Sequence, residues 1–341
     1  MFELRFPPPH LIDDRYRTDV RQIIAEVLET QRQRGNRAGN QTIIDKIGLE
    51  ARFVQGEGYW GEALDYHLGL LYAHIGEPEK AAYHFDRSGT LPSDGGDRAF
   101  SDHQRASLEL RRLQDLAKQR GIPSLLISSM PRSASASLTQ TLAAMLDAPL
   151  MRVSCGQIPS YYLVPRWLNC FAPGGAVLHD HFGAVPFNLK TLRESGRRQV
   201  FVRVRDPRPA TASMANLLNR RFGVPDHIDY ESQVVALCEQ YFIPWIADWL
   251  AAAEEPGTAL KIHWLAKPPS AMAEMAREVL TALAPEYPAL EQYLATDVAE
   301  VRANYVTGDQ EAWRKGISKA GQERLWHAIP QNVKEFLALR P

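Results

Sequence analysis

Three short stretches of this chain combine residue types that bind anions and move protons. The first is SSMPRSASASL, residues 128–138, where an apolar run passes into small residues and serines before a helical pattern begins. A loop of small residues between a strand and a helix lets several backbone N–H groups converge on one anion. Arg132 adds a fixed positive charge, and Ser133, Ser135 and Ser137 add hydroxyl donors. Taken alone, a phosphate loop and a serine-rich helix cap explain this stretch equally well. It is not a Walker A loop, because GxxxxGK[ST] is absent and no Lys precedes the helix.

The second stretch is QVFVRVRDPRPATAS, an apolar run that ends at Arg205-Asp206-Pro207-Arg208. Pro207 suits the first turn of a helix, where its missing amide hydrogen costs nothing. Ser213 lies eight positions after Arg205, about two turns along that helix, so both can face one anion. From Lys190 to Arg221 there are nine Lys or Arg residues against two acidic ones, a local excess that points to an anion site. Some of these residues, such as Arg197 and Arg198, read as solvated surface. The third stretch, AVLHDHFGAVPFN, puts His179 and His181 at the end of another short apolar run. Imidazole titrates near neutrality, so it can accept a proton and hold it. A histidine bonded only to backbone is the plain alternative; the place of His181 between two anion-binding stretches favours a base.

The elements that must position these residues follow from periodicity. Short apolar runs at 124–129, 176–179, 199–204 and 259–263 read as strands. Helical patterns over 135–147, 186–195, 207–219, 230–253 and 270–283 separate them. Strands alternating with helices predict a parallel sheet covered on both faces, with ligands bound beyond the carboxyl ends of the strands.

At this point the sequence resembles a family. PRSASASL is similar to the 5′-phosphosulfate loop, P-[KR]-S-G-[ST]-[ST], of the sulfotransferases that use 3′-phosphoadenosine 5′-phosphosulfate. RVRDPRPATAS is similar to that family's 3′-phosphate motif, an Arg at a strand end eight positions before a Ser. The two lie in the family's order, about 70 residues apart. The resemblance covers about Pro123 to the C-terminus. It implies an α/β three-layer sandwich with a central parallel sheet, the P-loop-like fold, preceded by an α-helical N-terminal region. It also implies that Arg132 contacts the 5′-phosphate and steadies the leaving oxygen, while Ser133, Ala134, Ser135, Ala136 and Ser137 wrap that phosphate. Arg205 and Ser213 would hold the 3′-phosphate. His181 would take the proton of a hydroxyl or amine acceptor, and no metal would be needed.

TGDQEAWRKG is similar to the family's C-terminal donor-binding segment, with Gly308 five positions before Trp313. Val306-Thr307 stand where an Arg-Lys pair is usual, so Arg302, Arg314 or Lys315 would complete the 3′-phosphate site. Ala134 replaces the usual loop glycine, Ser137 replaces an aromatic that stacks on adenine, and His179 falls where many relatives have a lysine. The acceptor, a small molecule, glycan or peptide, depends on loops that differ freely, here about Gln157–Phe171 and Phe222–Trp249. Of the aromatics there, Tyr161, Tyr162, Trp167 and Tyr230 are candidates for a pocket; Tyr241 and Trp245 read better as helical core.

Residues 1–120 read as helical, beginning with a helix from Asp13 or Asp14 to about Arg34. Within 61–93, Leu68, Gly69, Tyr72, Ala81 and Phe85 sit at tetratricopeptide-repeat offsets, with Gly76 and Pro78 at the turn. No second copy follows, so a docked helical hairpin is expected, serving packing or, equally, a protein partner or self-association. Residues 121–341 would form the transfer domain. Across 341 residues, 39 Lys and Arg balance 40 Asp and Glu, which argues against nucleic acid as a partner. Three scattered cysteines without CxxC spacing, no signal-peptide pattern and no long apolar run predict a reduced, cytoplasmic chain without a membrane span. Two rivals remain: a non-catalytic interaction protein using the hairpin, and a P-loop-type kinase, which the missing loop lysine disfavours.

Overall fold

The computed structural model describes residues 65, 66, 69, 72, 73, 77–88, 100–157, 160–222, 229–255, 260–267, 272–295 and 312–340. The helix expected over 13–34, and with it Leu68, Gly76, Arg302 and Gly308, lies outside the described residues. Packing divides the chain into two compact units, Met1–Arg112 with Arg152–Cys170, and Leu113–Met151 with Phe171–Pro341.

The first unit contains helix α1 (Pro78–Ser88), which starts on a proline and carries Glu79 in its first turn and Arg87 in its last. That charge order complements the helix dipole. Phe85 is fully buried and packs on the Trp167 ring at 4.6 Å and the Tyr66 ring at 5.9 Å. Gly69 admits this packing: a Cβ there would lie 2.9 Å from the Phe85 ring. Asp65, also buried, accepts from His84 Nδ1 at 2.7 Å and Arg87 Nε at 2.9 Å. The antiparallel strands β3 (Ser154–Gln157) and β4 (Ser160–Leu163) and helix α4 (Pro165–Cys170) complete its described part. Trp167, read from sequence as a pocket aromatic, is instead core here, because its ring fills the space beside Phe85.

Helix α2 (Phe100–Gln119) leads to β1 (Ser124–Ser129), α3 (Ser135–Leu146), β2 (Leu150–Met151), β5 (Ala176–Asp180), α5 (Pro186–Glu194) and β6 (Gln199–Arg203). Then come α6 (Pro207–Phe222), α7 (Tyr230–Leu237), α8 (Ile243–Glu254), β7 (Lys261–Leu265) and α9 (Met272–Leu283). Short helices α10 (Glu291–Leu294), α11 (Lys319–Ala328) and α12 (Gln331–Phe336) follow. The second unit is α/β: five strands form one sheet in the order β2-β5-β1-β6-β7, every pair parallel.

Alternate residues of the strands face opposite layers. Leu125, Ile127, Val177 and Phe201 share a core with Leu138 and Leu142 of α3 and with Val279 of α9. The intervening Ser128 faces the other way and bonds the carbonyl of Phe182, whose ring packs on Trp249 of α8 at 6.0 Å. Helices on both faces explain why the strands read as nearly continuous apolar runs. The three-layer sandwich expected from sequence is present. The single helix expected over 230–253 is interrupted by a widened turn at Cys238–Phe242. Pro244 follows at once; it lacks an amide hydrogen and its ring crowds the carbonyl four residues back, so regular register cannot pass through.

Replacing Phe85 with Ala should cost the first unit about 3–5 kcal/mol. Amide hydrogen exchange should then speed up across α1 and α4 and stay unchanged in the parallel sheet; equal protection of α1 in both proteins would contradict this packing.

Candidate anion and proton-transfer site

The loops after β1, β5 and β6 leave the same edge of the sheet, because these three strands are adjacent and parallel. In register, Ser128 pairs with Asp180, and Ser129 pairs with Arg203. From β1 the chain goes to the edge strand β2, returns to β5 beside β1, then crosses to β6 and β7 on the other side. Such a switch in strand order leaves a crevice beyond the strand ends. Arg132, His181 and Arg205 all lie on the three loops that rim it.

The β1–α3 loop is shaped for an anion. Ser133 N–H closes a turn onto the Met130 carbonyl at 3.2 Å, and both Arg132 and Ala134 are left-handed, with φ of 62° and 64°. For residues with a Cβ that conformation costs about 1–2 kcal/mol each, and it turns successive amides toward one side, as in an anion nest. Ala134 is the N-cap of α3 and caps it with no side-chain bond. The helix therefore opens with Ser135, Ala136 and Ser137 in its first turn and the positive end of its dipole at the loop. Ser133 is fully buried, and its hydroxyl has no hydrogen-bond partner among the described residues.

Arg132, Arg205 and Ser213 are brought together. Arg132 Nε donates to Ser213 Oγ at 2.9 Å, and Arg205 Nη1 donates to the Arg132 carbonyl at 3.1 Å. Partial burial holds the Arg132 guanidinium below its usual pKa, and the nearby Arg220 charge adds to the effect. Both causes disfavour a lone cation there, so a bound anion would relieve both. Arg197, read as solvated, is half-buried, and burial lowers its pKa as well.

His181 is anchored on several sides. Its Nδ1 lies 2.8 Å from the Ser129 carbonyl, which can only accept, so Nδ1 carries the proton. Nε2 of the neutral ring then keeps the lone pair a base needs. The Ser129 hydroxyl lies 3.1 Å from the same Nδ1 and bonds His179 Nε2 at 2.7 Å. The two imidazoles meet edge to face at 5.4 Å. The backbone of His181 is held by Asp180 Oδ1, which accepts its N–H at 3.0 Å, and by Trp245 Nε1, which donates to its carbonyl at 3.1 Å. Trp245 and Tyr241 are both buried, as their helical spacing implied.

On the C-terminal side, Arg208 ion-pairs with Asp206 at 2.8 Å and lies between the Trp313 and Trp326 rings, 5.4 Å from each. Arg314 stacks on Trp313 at 4.9 Å and donates to Gln322 at 3.0 Å, a clamp within the C-terminal segment. Among the described residues no group of three or more His, Cys, Asp or Glu is placed to hold a metal ion. No described helix is long and apolar enough to cross a membrane.

Sequence reasoning missed Arg203, which counted only as one of nine basic residues. Its signal was present: a charge inside QVFVR, a strand covered on both faces, has no route to water. It also missed Ser129, whose hydroxyl and carbonyl organise the histidine pair; a serine ending an apolar strand carries no distinctive pattern.

Two outcomes follow from this geometry. Ala134→Gly should raise stability by about 0.5–1 kcal/mol by relieving the left-handed alanine, read by thermal denaturation; a loss would show that the alanine is not strained. Nitrogen-15 NMR of the neutral protein should show His181 protonated at Nδ1, and a dominant Nε2–H form would remove its candidacy as a base.

No protein-family model and no curated protein matches the sequence. Among solved structures, the fold is similar to the crystal structure of mouse sulfotransferase SULT7A1 complexed with PAP, with a TM-score of 0.44 and 11% sequence identity. That likeness covers 68% of this chain and 92% of that chain.

Proposed function

We propose that the chain is a sulfotransferase that moves the sulfuryl group of 3′-phosphoadenosine 5′-phosphosulfate to a hydroxyl or amine. The observation that carries the reading is the convergence of Arg132, Arg205 and Ser213 beside an uncapped helix start. Such a donor carries phosphates at both ends of its ribose and needs two neighbouring anion subsites. In this reading the loop segment 133–137, through its amides beyond Ser133 N–H, and Arg132 take the 5′-phosphosulfate, while Arg205 and Ser213 take the 3′-phosphate. Arg314 and Gly308 would belong to the C-terminal side of the donor site.

The reaction is an in-line displacement at sulfur. The acceptor oxygen or nitrogen forms its bond to sulfur while its proton passes to Nε2 of His181. The bond from sulfur to the bridging oxygen breaks, and its electron pair leaves with the 5′-phosphate. The products are the sulfated acceptor, 3′-phosphoadenosine 5′-phosphate and an imidazolium. The Ser129 carbonyl, already accepting from Nδ1–H, stabilises that cation without rearrangement. Arg132 and the loop dipoles meet the charge that grows on the leaving oxygen, and preorganised charge of this kind is commonly the largest contribution to such catalysis. The reaction belongs to the unit holding residues 113–151 and 171–341.

Calorimetric titration with 3′-phosphoadenosine 5′-phosphate tests the donor site. Wild type should bind, and Arg205→Ala/Ser213→Ala should lose at least a hundredfold, about 2.7 kcal/mol or more. His181→Ala should keep the binding and lose about 10²–10⁴-fold in turnover. Folded wild type that binds nothing would overturn the reading and favour a non-catalytic interaction protein.

A further inference from the structure

Arg203 is fully buried, and it is used by no step of the reaction above. Its bonds all go to backbone carbonyls: Nε to Ser133 at 3.0 Å, and Nη1 to Val204 at 2.6 Å and to Leu265 at 2.8 Å. Nη2 is buried with no hydrogen-bond partner among the described residues. None of these bonds reaches a carboxylate, so the charge is solvated only by dipoles. Taking a guanidinium out of water on those terms is costly. Burial lowers its pKa to about 9, with the Arg205 charge acting in the same direction, and at neutral pH it remains charged. A strand residue of this size has apolar substitutes that would avoid the conflict.

Its attachment point indicates what the charge serves. A planar trans peptide points its C=O and N–H in opposite directions. Arg203 draws the Ser133 carbonyl toward the ends of β6 and β7, so the N–H of Ala134 in the same peptide points the other way, out of the loop's far side. Arg203 therefore fixes which face of the loop is positive. The left-handed turn at Ala134 is held in place by the same bond. The neighbouring Ser133 hydroxyl is buried and unpartnered among the described residues too, so two polar groups at this loop have donors that the described residues do not use.

We infer that Arg203 is a positioning residue for the 5′-side anion: it orients the Ser133–Ala134 peptide and supplies a fixed charge behind the phosphate loop. The inference rests on the phosphate-loop reading and deepens it. The ligand class it specifies is a nucleoside carrying a multiply charged group at its 5′ end. Arg203 acts through the loop, whereas Arg205 and Ser213 act on the 3′ side.

That division can be measured with half-ligands. Wild type, Arg203→Met and Arg203→Lys would be titrated separately with adenosine 5′-phosphate and with adenosine 3′-phosphate. Arg203→Met should bind the 5′-phosphate at least tenfold more weakly and the 3′-phosphate within about twofold of wild type. Arg203→Lys keeps the charge without the three-carbonyl fork and should recover part of the loss. Equal 5′-phosphate affinity in wild type and Arg203→Met would overturn the role while leaving the loop reading intact. Equal loss for both ligands would overturn it as well, since that is what a purely structural residue would do. If wild type binds neither half-ligand nor 3′-phosphoadenosine 5′-phosphate, the phosphate-loop reading fails first. Arg203→Gln substitutes if the Met variant does not fold, and wild-type 5′-phosphate affinity in it overturns the role equally.

Discussion

Like charges gathered at the ends of two neighbouring parallel strands are the constraint on which the second unit depends. Arg132, Arg203 and Arg205 are joined through loop carbonyls: Arg203 holds that of Ser133, and Arg205 holds that of Arg132. Carbonyl dipoles make this gathering tolerable without cancelling it. Burial, more than the neighbouring charges, lowers the pKa of Arg132 and Arg203, with Arg220 and Arg205 respectively acting in the same direction. A chain near neutrality overall has no need for such an arrangement unless an anion completes it. Sites of this kind typically trade stability for function.

The same trade is visible in the backbone. Helix α7 is capped by Asp229, whose carboxylate accepts from Ser232 N–H, and α11 by Ser318, whose hydroxyl accepts from Gly321 N–H. Helix α3 begins instead on a left-handed alanine that offers no cap. Its serines begin one residue too late for that duty. Where the other two helices bond a first-turn amide to the capping side chain, Ala134 has no side chain that could do so. Strain at Arg132 and Ala134 survives because the Ser133 turn, Arg203 and Arg205 together over-determine the loop.

The histidine side follows a different logic, one of fixed orientation. His181 is tied to β1 through Ser129, to β5 through Asp180 and to α8 through Trp245. Ser129 sets the ring's tautomer, while Asp180 and Trp245 fix the backbone that carries it. A side chain held this way has little freedom to reorient. Its neighbour His179 is linked to it through a shared serine hydroxyl.

Local chemistry was legible in the sequence. The strand from Ser124 to Ser129, the helix after Ala134, the proline-led helix at Pro207 and the Arg205–Ser213 spacing depend on residues a few positions apart, where propensity and periodicity act. So did the inward Leu138, Leu142 and Met145. Only the tertiary structure decided which of these pieces meet. The bond from Arg132 to Ser213 spans 81 positions, that from His181 to Ser129 spans 52, and that from Arg203 to Ser133 spans 70. Each exists because β1 lies between β5 and β6, an order set by how helices cover the two faces of the sheet. Arg203 shows the difference most plainly: its sequence position says only that a charge stands in an apolar strand. What that charge bonds to, and which way it turns a loop 70 residues away, is a property of the packed sheet.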